Sequence, residues 1–234
     1  PAYRFLVLNP QSTPHSSFTI GMDTLPVMIE KTRLARDFPL LKVKVGFAGY
    51  VEEVKAVRNE TDARLRVDAN GGWNSAGEAI ERINRIAQYG VEFVEQPLPR
   101  GNPQGLKRIR EQVAVPVFAD EDVRTSKDIP PLIGCVDGVN IKLMECGGIR
   151  EALRIIHIAR CFDMQVMLGC MVESSLSLTA AAHLTPLADY ADLDAQLLLR
   201  NDPFQGFSFT AGRITLPQEP GLGVKHNPKI DVNR

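Results

Sequence analysis

Ionisable residues recur in this sequence at one kind of place, the end of a short apolar run. Lys42 and Lys44 close Leu40–Val45, Asp68 closes Leu65–Asp68, and Glu95 closes Val91–Glu95. Asp120 and Glu121 follow Val115–Ala119, Lys142 ends Gly138–Lys142, and Asp192 and Asp194 flank Leu193. Any one of these alone reads as a solvated charge, since such side chains are mostly exposed. Their recurrence on consecutive runs points elsewhere. Carboxylates gathered side by side are costly to bury without compensation, and a divalent cation is the simplest compensation. Three carboxylates without histidine or thiolate form an all-oxygen set that prefers Mg²⁺ or Mn²⁺ to Zn²⁺. Lysines beside such a set become candidates for moving protons, because a cation, a second lysine and partial desolvation each lower an ammonium pKa.

The elements that must position these residues follow from the apolar pattern. Candidate strands are Phe18–Gly21, Leu40–Val45, Leu65–Asp68, Val91–Glu95, Val115–Asp120, Gly138–Lys142, Gln165–Gly169 and Tyr190–Leu193. They start roughly every 25 residues, which leaves room for one helix and two short loops per unit. Helical periodicity is clearest over Glu78–Tyr89, opened by Ser75-Ala-Gly-Glu78 as a capping box and stopped by Gly90. A second helix is expected over Ile149–Arg160, and a nearly all-apolar one over Leu176–Leu184. Strands alternating with helices imply a parallel sheet. Eight of them at even pitch, in 234 residues, favour closure into a (β/α)7β TIM-like barrel. The open doubly wound alternative lacks a Gly-x-Gly-x-x-Gly after its first strand. Charge at the C-terminal ends of barrel strands reads as catalytic. Residues 1–17 read as a linker, 18–196 as the barrel, and 197–234, rich in proline and glycine, as a tail of loops and short strands packing on it.

Composition excludes several other classes. The net charge is −1 with 24% charged and 44% hydrophobic residues, so nothing attracts nucleic acid or anionic lipid in bulk. No apolar run has membrane-spanning length. Cys135, Cys146, Cys161 and Cys170 show no Cys-x-x-Cys spacing, which suggests reduced thiols in a cytoplasmic protein. His15, His157 and His183 share no ligand spacing, and no histidine is placed to activate Cys170 as a nucleophile. Asp68-Ala-Asn-Gly-Gly could make a hairpin turn, but the capping box directly after it favours a strand-to-helix loop.

With these residues in view, the sequence resembles the muconate-lactonizing-enzyme subgroup of the enolase superfamily. The resemblance runs through Lys42-Val-Lys44-Val-Gly46, Val67-Asp68-Ala-Asn70, Val94-Glu95-Gln96-Pro97, Ala119-Asp120-Glu121, and Ile141-Lys142 with Gly147-Gly148-Ile149. Spacing leaves open whether Asp120 or Glu121 joins the ion site. The resemblance implies Asp68, Glu95 and Asp120 as Mg²⁺ ligands, with Asn70 and Glu121 behind them. It implies Lys44 and Lys142 as acid/base lysines on opposite faces of a substrate carbon, and Lys42 as a residue that holds the substrate carboxylate or tunes Lys44. Removing a proton α to a carboxylate builds up negative charge that a divalent cation stabilises, and enolase-superfamily sites are a standing example of a lysine or histidine base working with Mg²⁺. Two lysines on opposite faces permit 1,1-proton transfer, that is, epimerisation.

Two further segments are similar to motifs of dipeptide epimerases. Leu168-Gly-Cys170-Met171-Val-Glu173 resembles their seventh-strand motif and sets Cys170 and Met171 beside the substrate. Asp192-Leu-Asp194 resembles their Asp-x-Asp motif, whose carboxylates take a free α-ammonium; the Ala195-Gln196-Leu197 that follows is a departure from the family pattern. The resemblance thus implies a small-molecule partner, with L-Ala-D/L-Glu as the default dipeptide. The alternatives are β-elimination as in o-succinylbenzoate synthase, racemisation of an N-acyl amino acid as in the related N-succinylamino acid racemases, and cycloisomerisation of muconate, none on a substrate with a free ammonium. Relatives of this kind carry a capping domain with no counterpart here, so a weakly active or inactive barrel fragment that still binds Mg²⁺ is also expected, and an uncovered mouth favours a homo-oligomer.

Overall fold

The computed structural model describes residues 1–45, 50–228 and 230; Gly46, which ends the Lys42–Gly46 motif, lies outside the described residues. Eight strands form a single sheet in sequential order: β1 Phe18–Ile20, β2 Leu40–Lys44, β3 Arg64–Asp68, β4 Val91–Glu95, β5 Val117–Ala119, β6 Gly138–Lys142, β7 Gln165–Gly169 and β8 Tyr190–Asp192. Every neighbouring pair is parallel. The segment before β1 returns to β8 through a parallel Ser16–Ala191 bridge, and Ser17 N–H donates to the Ala191 carbonyl at 3.1 Å. The eight-strand barrel is the fold expected, closed at this seam.

Alternation along the strands divides the core in two. Leu41, Val43, Leu65, Val67, Val94, Val139, Ile141, Val166 and Leu168 point outward and join one large apolar cluster with the surrounding helices. Their inward-facing neighbours fill the barrel. At the level nearer the strand starts, Phe93, Phe118 and Met167 form a separate small cluster with Tyr190 against it. Phe93 and Phe118 stack at 4.2 Å between ring centroids, and Arg66 lies over Phe93 and Tyr190. Arg66 is a buried cation, compensated by Glu92 at 2.7 Å and the Ala191 carbonyl at 3.0 Å.

The helices are α1 Ala2–Phe5, α2 Leu25–Leu34, α3 Tyr50–Glu60, α4 Ala76–Ala87, α5 Pro103–Arg110, α6 Leu143–Cys146, α7 Ile149–Cys161 and α8 Ser175–Ala182. At the start of α4 the Ser75 hydroxyl accepts from Glu78 N–H, but the Glu78 carboxylate reaches back to Asn74 N–H rather than to Ser75. The capping box is therefore shifted by one residue on its return arm. The fifth crossover also differs from the one-helix-per-unit expectation. Two 3₁₀ turns, Ser126–Asp128 and Pro130–Leu132, stand there, because the consecutive prolines Pro130 and Pro131 cannot sustain an α-helix interior. Pro116, which has no N–H to donate, likewise leaves β5 shorter than the Val115–Asp120 run.

Residues 1–17, read as linker, pack on the barrel. Tyr3 is buried and stacks on His183, whose Nε2 lies 3.0 Å from the Leu222 carbonyl. After β8 the chain makes a 3₁₀ turn, Ala195–Leu197, and then the short strand pairs β9 Phe204–Gln205 with β12 Lys225–His226 and β10 Ser208–Thr210 with β11 Arg213–Thr215. No helix among the described residues is long and apolar enough to cross a membrane.

Candidate active site

At the C-terminal ends of the strands the inward positions change from aromatic to ionisable. Asp68, Glu95 and Asp120 come from β3, β4 and the residue after β5, and all three are essentially buried. One carboxylate oxygen from each lies within 4.8 Å of the others. Asp68 Oδ2, Glu95 Oε2 and Asp120 Oδ1 accept no hydrogen bond of good geometry. Buried oxygens are rarely left so. Three of them converging from three strands suit a hard divalent cation in charge, donor type and number. The structure also separates two residues that spacing could not. Asp120 points into this group, whereas Glu121 turns aside to accept from Asn70 Nδ2 at 3.3 Å.

Lysines stand at both ends of the acidic row. In ladder order the side chains run Lys44, Asp68, Glu95, Asp120, Lys142. Lys44 Nζ is 3.4 Å from Asp68 Oδ2 and donates to Asn70 Oδ1 at 2.9 Å, while Lys142 Nζ is 2.6 Å from Asp120 Oδ2. Burial alone would lower the pKa of Lys142, but the Asp120 carboxylate outweighs it and holds the pKa above the ordinary lysine value. The lowered lysine pKa expected from the sequence presupposes a cation drawing on Asp120; with Asp120 turned to Lys142 instead, the carboxylate raises it.

Lys42 occupies a different position from the other two. It is 3% exposed, and its nitrogen lies 3.0 Å from Asp68 Oδ2, 2.8 Å from Glu95 Oε2 and 2.9 Å from Asp192 Oδ2. Its burial would lower its pKa, but Asp192, Asp68 and Glu95 together raise it well above normal. Even so, one ammonium does not satisfy the cluster. Burial, and then the charge of Asp68, push Glu95 well above the carboxylate range.

The loops that follow the strands lock these side chains in place. Asn70 and Gln96 both adopt positive φ, 44° and 37°, a region non-glycine residues seldom occupy. That backbone lets Asn70 N–H donate to Asp68 Oδ1 at 2.9 Å. Gln96 Oε1 accepts from Asp120 N–H, and its Nε2 donates to the Leu98 carbonyl and to Asp122. Across the barrel, Asp192 is held between Lys42 Nζ and Ser17 Oγ (2.7 Å), and Asp194 Oδ2 accepts from Thr19 N–H at 2.7 Å. Burial, and then the Asp192 charge, raise the Asp194 pKa to about 6.

A cavity of about 270 Å³ opens over this face. Lys42, Lys44, Asp68, Asn70, Glu121, Lys142, Cys170, Met171, Asp192 and Asp194 line it, with Glu95 and Asp120 buried out of its wall. Sequence reasoning did not single out Thr19, Glu145, Val172 and Leu198, which also line it, nor Ser17 and Asn140, which hold Asp192 and Glu95. Asn140 stands two residues before Lys142, and period-two alternation was the available signal that it faces inward. The Cys170 thiol is raised well above normal by burial and then by Asp192 and Asp194, so it stays protonated. That agrees with reading it as lining rather than nucleophile.

A parallel barrel with an acid triad at its C-terminal face and a lysine at either end defines a class of α/β barrels with an ionisable row at the strand ends. The family model described as Enolase C-terminal domain-like matches residues 27–230, and the chain belongs to that family. It is 40% identical over 225 residues to an L-Ala-D/L-Glu epimerase from Bacteroides thetaiotaomicron, covering 96% of this chain and 59% of that protein. It is 44% identical over 218 residues to a hydrophobic dipeptide epimerase from Roseobacter litoralis, covering 89% and 63%. Among solved structures, a dipeptide epimerase from Enterococcus faecalis V583 superposes with a TM-score of 0.88 at 37% identity, over 97% of this chain and 69% of that one. One from Cytophaga hutchinsonii, complexed with Mg and the dipeptide D-Ala-L-Val, gives 0.90 at 31% identity, over 97% and 65%. The chain thus spans roughly three fifths of the length of these two curated relatives.

Proposed function

We propose that this chain is the ion-binding, proton-moving barrel of a dipeptide epimerase, with L-Ala-D/L-Glu as the default substrate pair. The observation that carries the reading is the ladder order itself, in which a row of three convergent carboxylates has one lysine at each end. Asp68, Glu95 and Asp120 are the residues that hold Mg²⁺, with Mn²⁺ as a substitute. When bound there, the cation supplies positive charge against the second negative charge that develops on a carboxylate losing its α-proton. Lys142 and Lys44 then divide the proton work, one taking the α-proton from its face and the other returning a proton from the opposite face. Lys142 can act as a base only when Asp120 is engaged elsewhere, since that carboxylate is what keeps it protonated.

Lys42 offsets part of the acidic charge and ties Asp192 to the cluster. Asp192 already has both oxygens engaged, by Ser17 and by Lys42, so Asp194 is the carboxylate with more capacity left for a substrate ammonium. This acidic corner supports a free dipeptide over substrates that lack an ammonium to place there. It therefore weighs against o-succinylbenzoate synthase, N-succinylamino acid racemase and muconate cycloisomerase chemistry. The relatives named for dipeptides support the same choice. The test is a dipeptide panel incubated with the protein and Mg²⁺ in D₂O. Deuterium at one α-carbon of a free dipeptide is expected. Exchange confined to substrates without a free ammonium would overturn the proposal.

A further inference from the structure

Glu95 differs from the other two carboxylates of the acidic row in how it is held. Asp68 is fixed by a backbone N–H, from Asn70, and Asp120 by the ammonium of Lys142. Glu95, the central one of the three, meets the Lys42 ammonium through Oε2 at 2.8 Å, and its other oxygen, Oε1, has one neutral donor, Asn140 Nδ2, at 2.8 Å. Asn140 sits on β6, two strands away in the ladder and one inward position before Lys142. It is 1% exposed, and its amide oxygen accepts nothing. A buried amide that satisfies its donor on one carboxylate and leaves its acceptor idle is costly on its own account. A device that orients a metal-binding carboxylate explains its presence.

The space for Asn140 is also built. A Cβ placed on Gly169 of β7 would lie 2.5 Å from Asn140 Oδ1 and 2.7 Å from Nδ2. Gly169 has no positive φ to require glycine, and its inward position would ordinarily carry a side chain, as Met167 does two residues earlier. The missing side chain is therefore explained by what it admits.

We propose that Asn140 is the positioning residue for Glu95. Its amide fixes Glu95 Oε1 and so turns Oε2, which lies 2.8 Å from Lys42 Nζ, toward Asp68 and Asp120, where the ion would be shared; Gly169 is the vacancy that lets the amide reach. This rests on reading those three carboxylates as the ion site. Hydrogen-bond partners of metal ligands change affinity by about 10- to 100-fold when lost, and Asn140→Leu keeps the number and branching of side-chain heavy atoms while removing the donor.

The test is Mn²⁺ titration of the full chain, followed by electron paramagnetic resonance of the free ion, with thermal melts in EDTA to check folding. Wild-type protein is expected to bind one ion per chain, and failure to bind would overturn the ion-site reading itself. Given wild-type binding, N140L is expected to weaken affinity at least tenfold, and G169A to weaken it in the same direction with Asn140 still present. The N140L/G169A double variant is expected to be no worse than N140L, because both act on one contact. In an E95Q background N140L is expected to add nothing. N140L binding within twofold of wild type, or a full tenfold loss persisting in E95Q, would overturn the role assigned to Asn140. If N140L does not fold, N140S, whose hydroxyl is too short to reach Glu95, is read in its place by the same criteria.

Discussion

The interior of this barrel has two levels built from the same strands. Phe93 and Glu95, Phe118 and Asp120, Tyr190 and Asp192, Arg66 and Asp68, and Met167 and Gly169 are each two residues apart and face the same way. At the lower level the side chains are large and their polar atoms compensated: rings stack at 4.2 Å, and the single guanidinium has a carboxylate and a carbonyl as partners. At the upper level carboxylates crowd together, several oxygens lack hydrogen bonds, and Glu95 is pushed far from its normal pKa. One step along a strand therefore separates a region arranged for stability from one arranged for chemistry. Natural sites commonly trade stability for function in this way.

Substitutions on the two levels should separate activity from stability, and the largest effect belongs to the upper one. Lys142→Ala is expected to slow α-proton exchange on the order of 10³-fold, as loss of a positioned general acid/base does, with little change in melting temperature. Isotope exchange followed by NMR measures the first and a thermal melt the second, and an active variant would remove Lys142 from the proton path. Phe118→Ala, one level down, is expected to cost about 3–5 kcal/mol of stability, measured by urea unfolding, while the folded variant keeps Mn²⁺ affinity within about twofold. An affinity loss matching the stability loss would mean that the levels are not separable.

Glu95→Gln should show the opposite asymmetry. Ion affinity is expected to fall by at least about 100-fold, since even partners of metal ligands are worth 10–100-fold. In EDTA at neutral pH its melting temperature is expected to hold or rise. The folded pKa of Glu95 is raised above its unfolded value, so its contribution to stability is present at low pH and lost once the carboxyl ionises. A neutral amide avoids that loss, and a clear drop in melting temperature would contradict this view of the upper level.

The smallest effect concerns pH. Asp194, raised to about 6 by burial and by Asp192, must be ionised to hold an ammonium. Its other close charged neighbour is Lys42, and the Thr19 N–H stabilises its charged form. Dipeptide affinity is therefore expected to rise by less than about tenfold as pH climbs through 6. Asp194→Asn should flatten this profile in calorimetric titrations between pH 5 and 8, and a profile unchanged by the substitution would place the ammonium elsewhere.

Much of the upper level was legible in the sequence because charge at the end of an apolar run is a strong contrast. Val91–Glu95, Gly138–Lys142 and Gln165–Gly169 were readable as strands to the residue, since β-branched runs bounded by loop residues leave little latitude. The same contrast brought out Asp68, Glu95, Asp120 and both terminal lysines. Neutral residues gave no such signal. Asn140 and Ser17 read as ordinary polar positions, although one holds Glu95 and the other Asp192. Lys42 was visible, but its enclosure by three protein carboxylates depends on side chains from β3, β4 and β8 meeting in space. The fifth crossover was misjudged for a local reason that was present in the sequence, the pair Pro130-Pro131. The packing of residues 1–17 depends on a distant partner, since Tyr3 is covered by His183.

The seam between the Ser16–Ser17 segment and β8 has a consequence for biosynthesis. Ser17 both zips the cylinder shut through Ala191 and orients Asp192, while Ser16 Oγ accepts from Leu193 N–H just beyond the last strand. A ribosome makes these two partners about 175 positions apart, so the Asp192–Asp194 corner stays unformed until the eighth strand has emerged and docked. In chain order the acid triad of β3 to β5 is therefore complete long before Asp192 can meet Ser17 and Lys42. That corner is thereby the last part of the strand-end face to be enclosed.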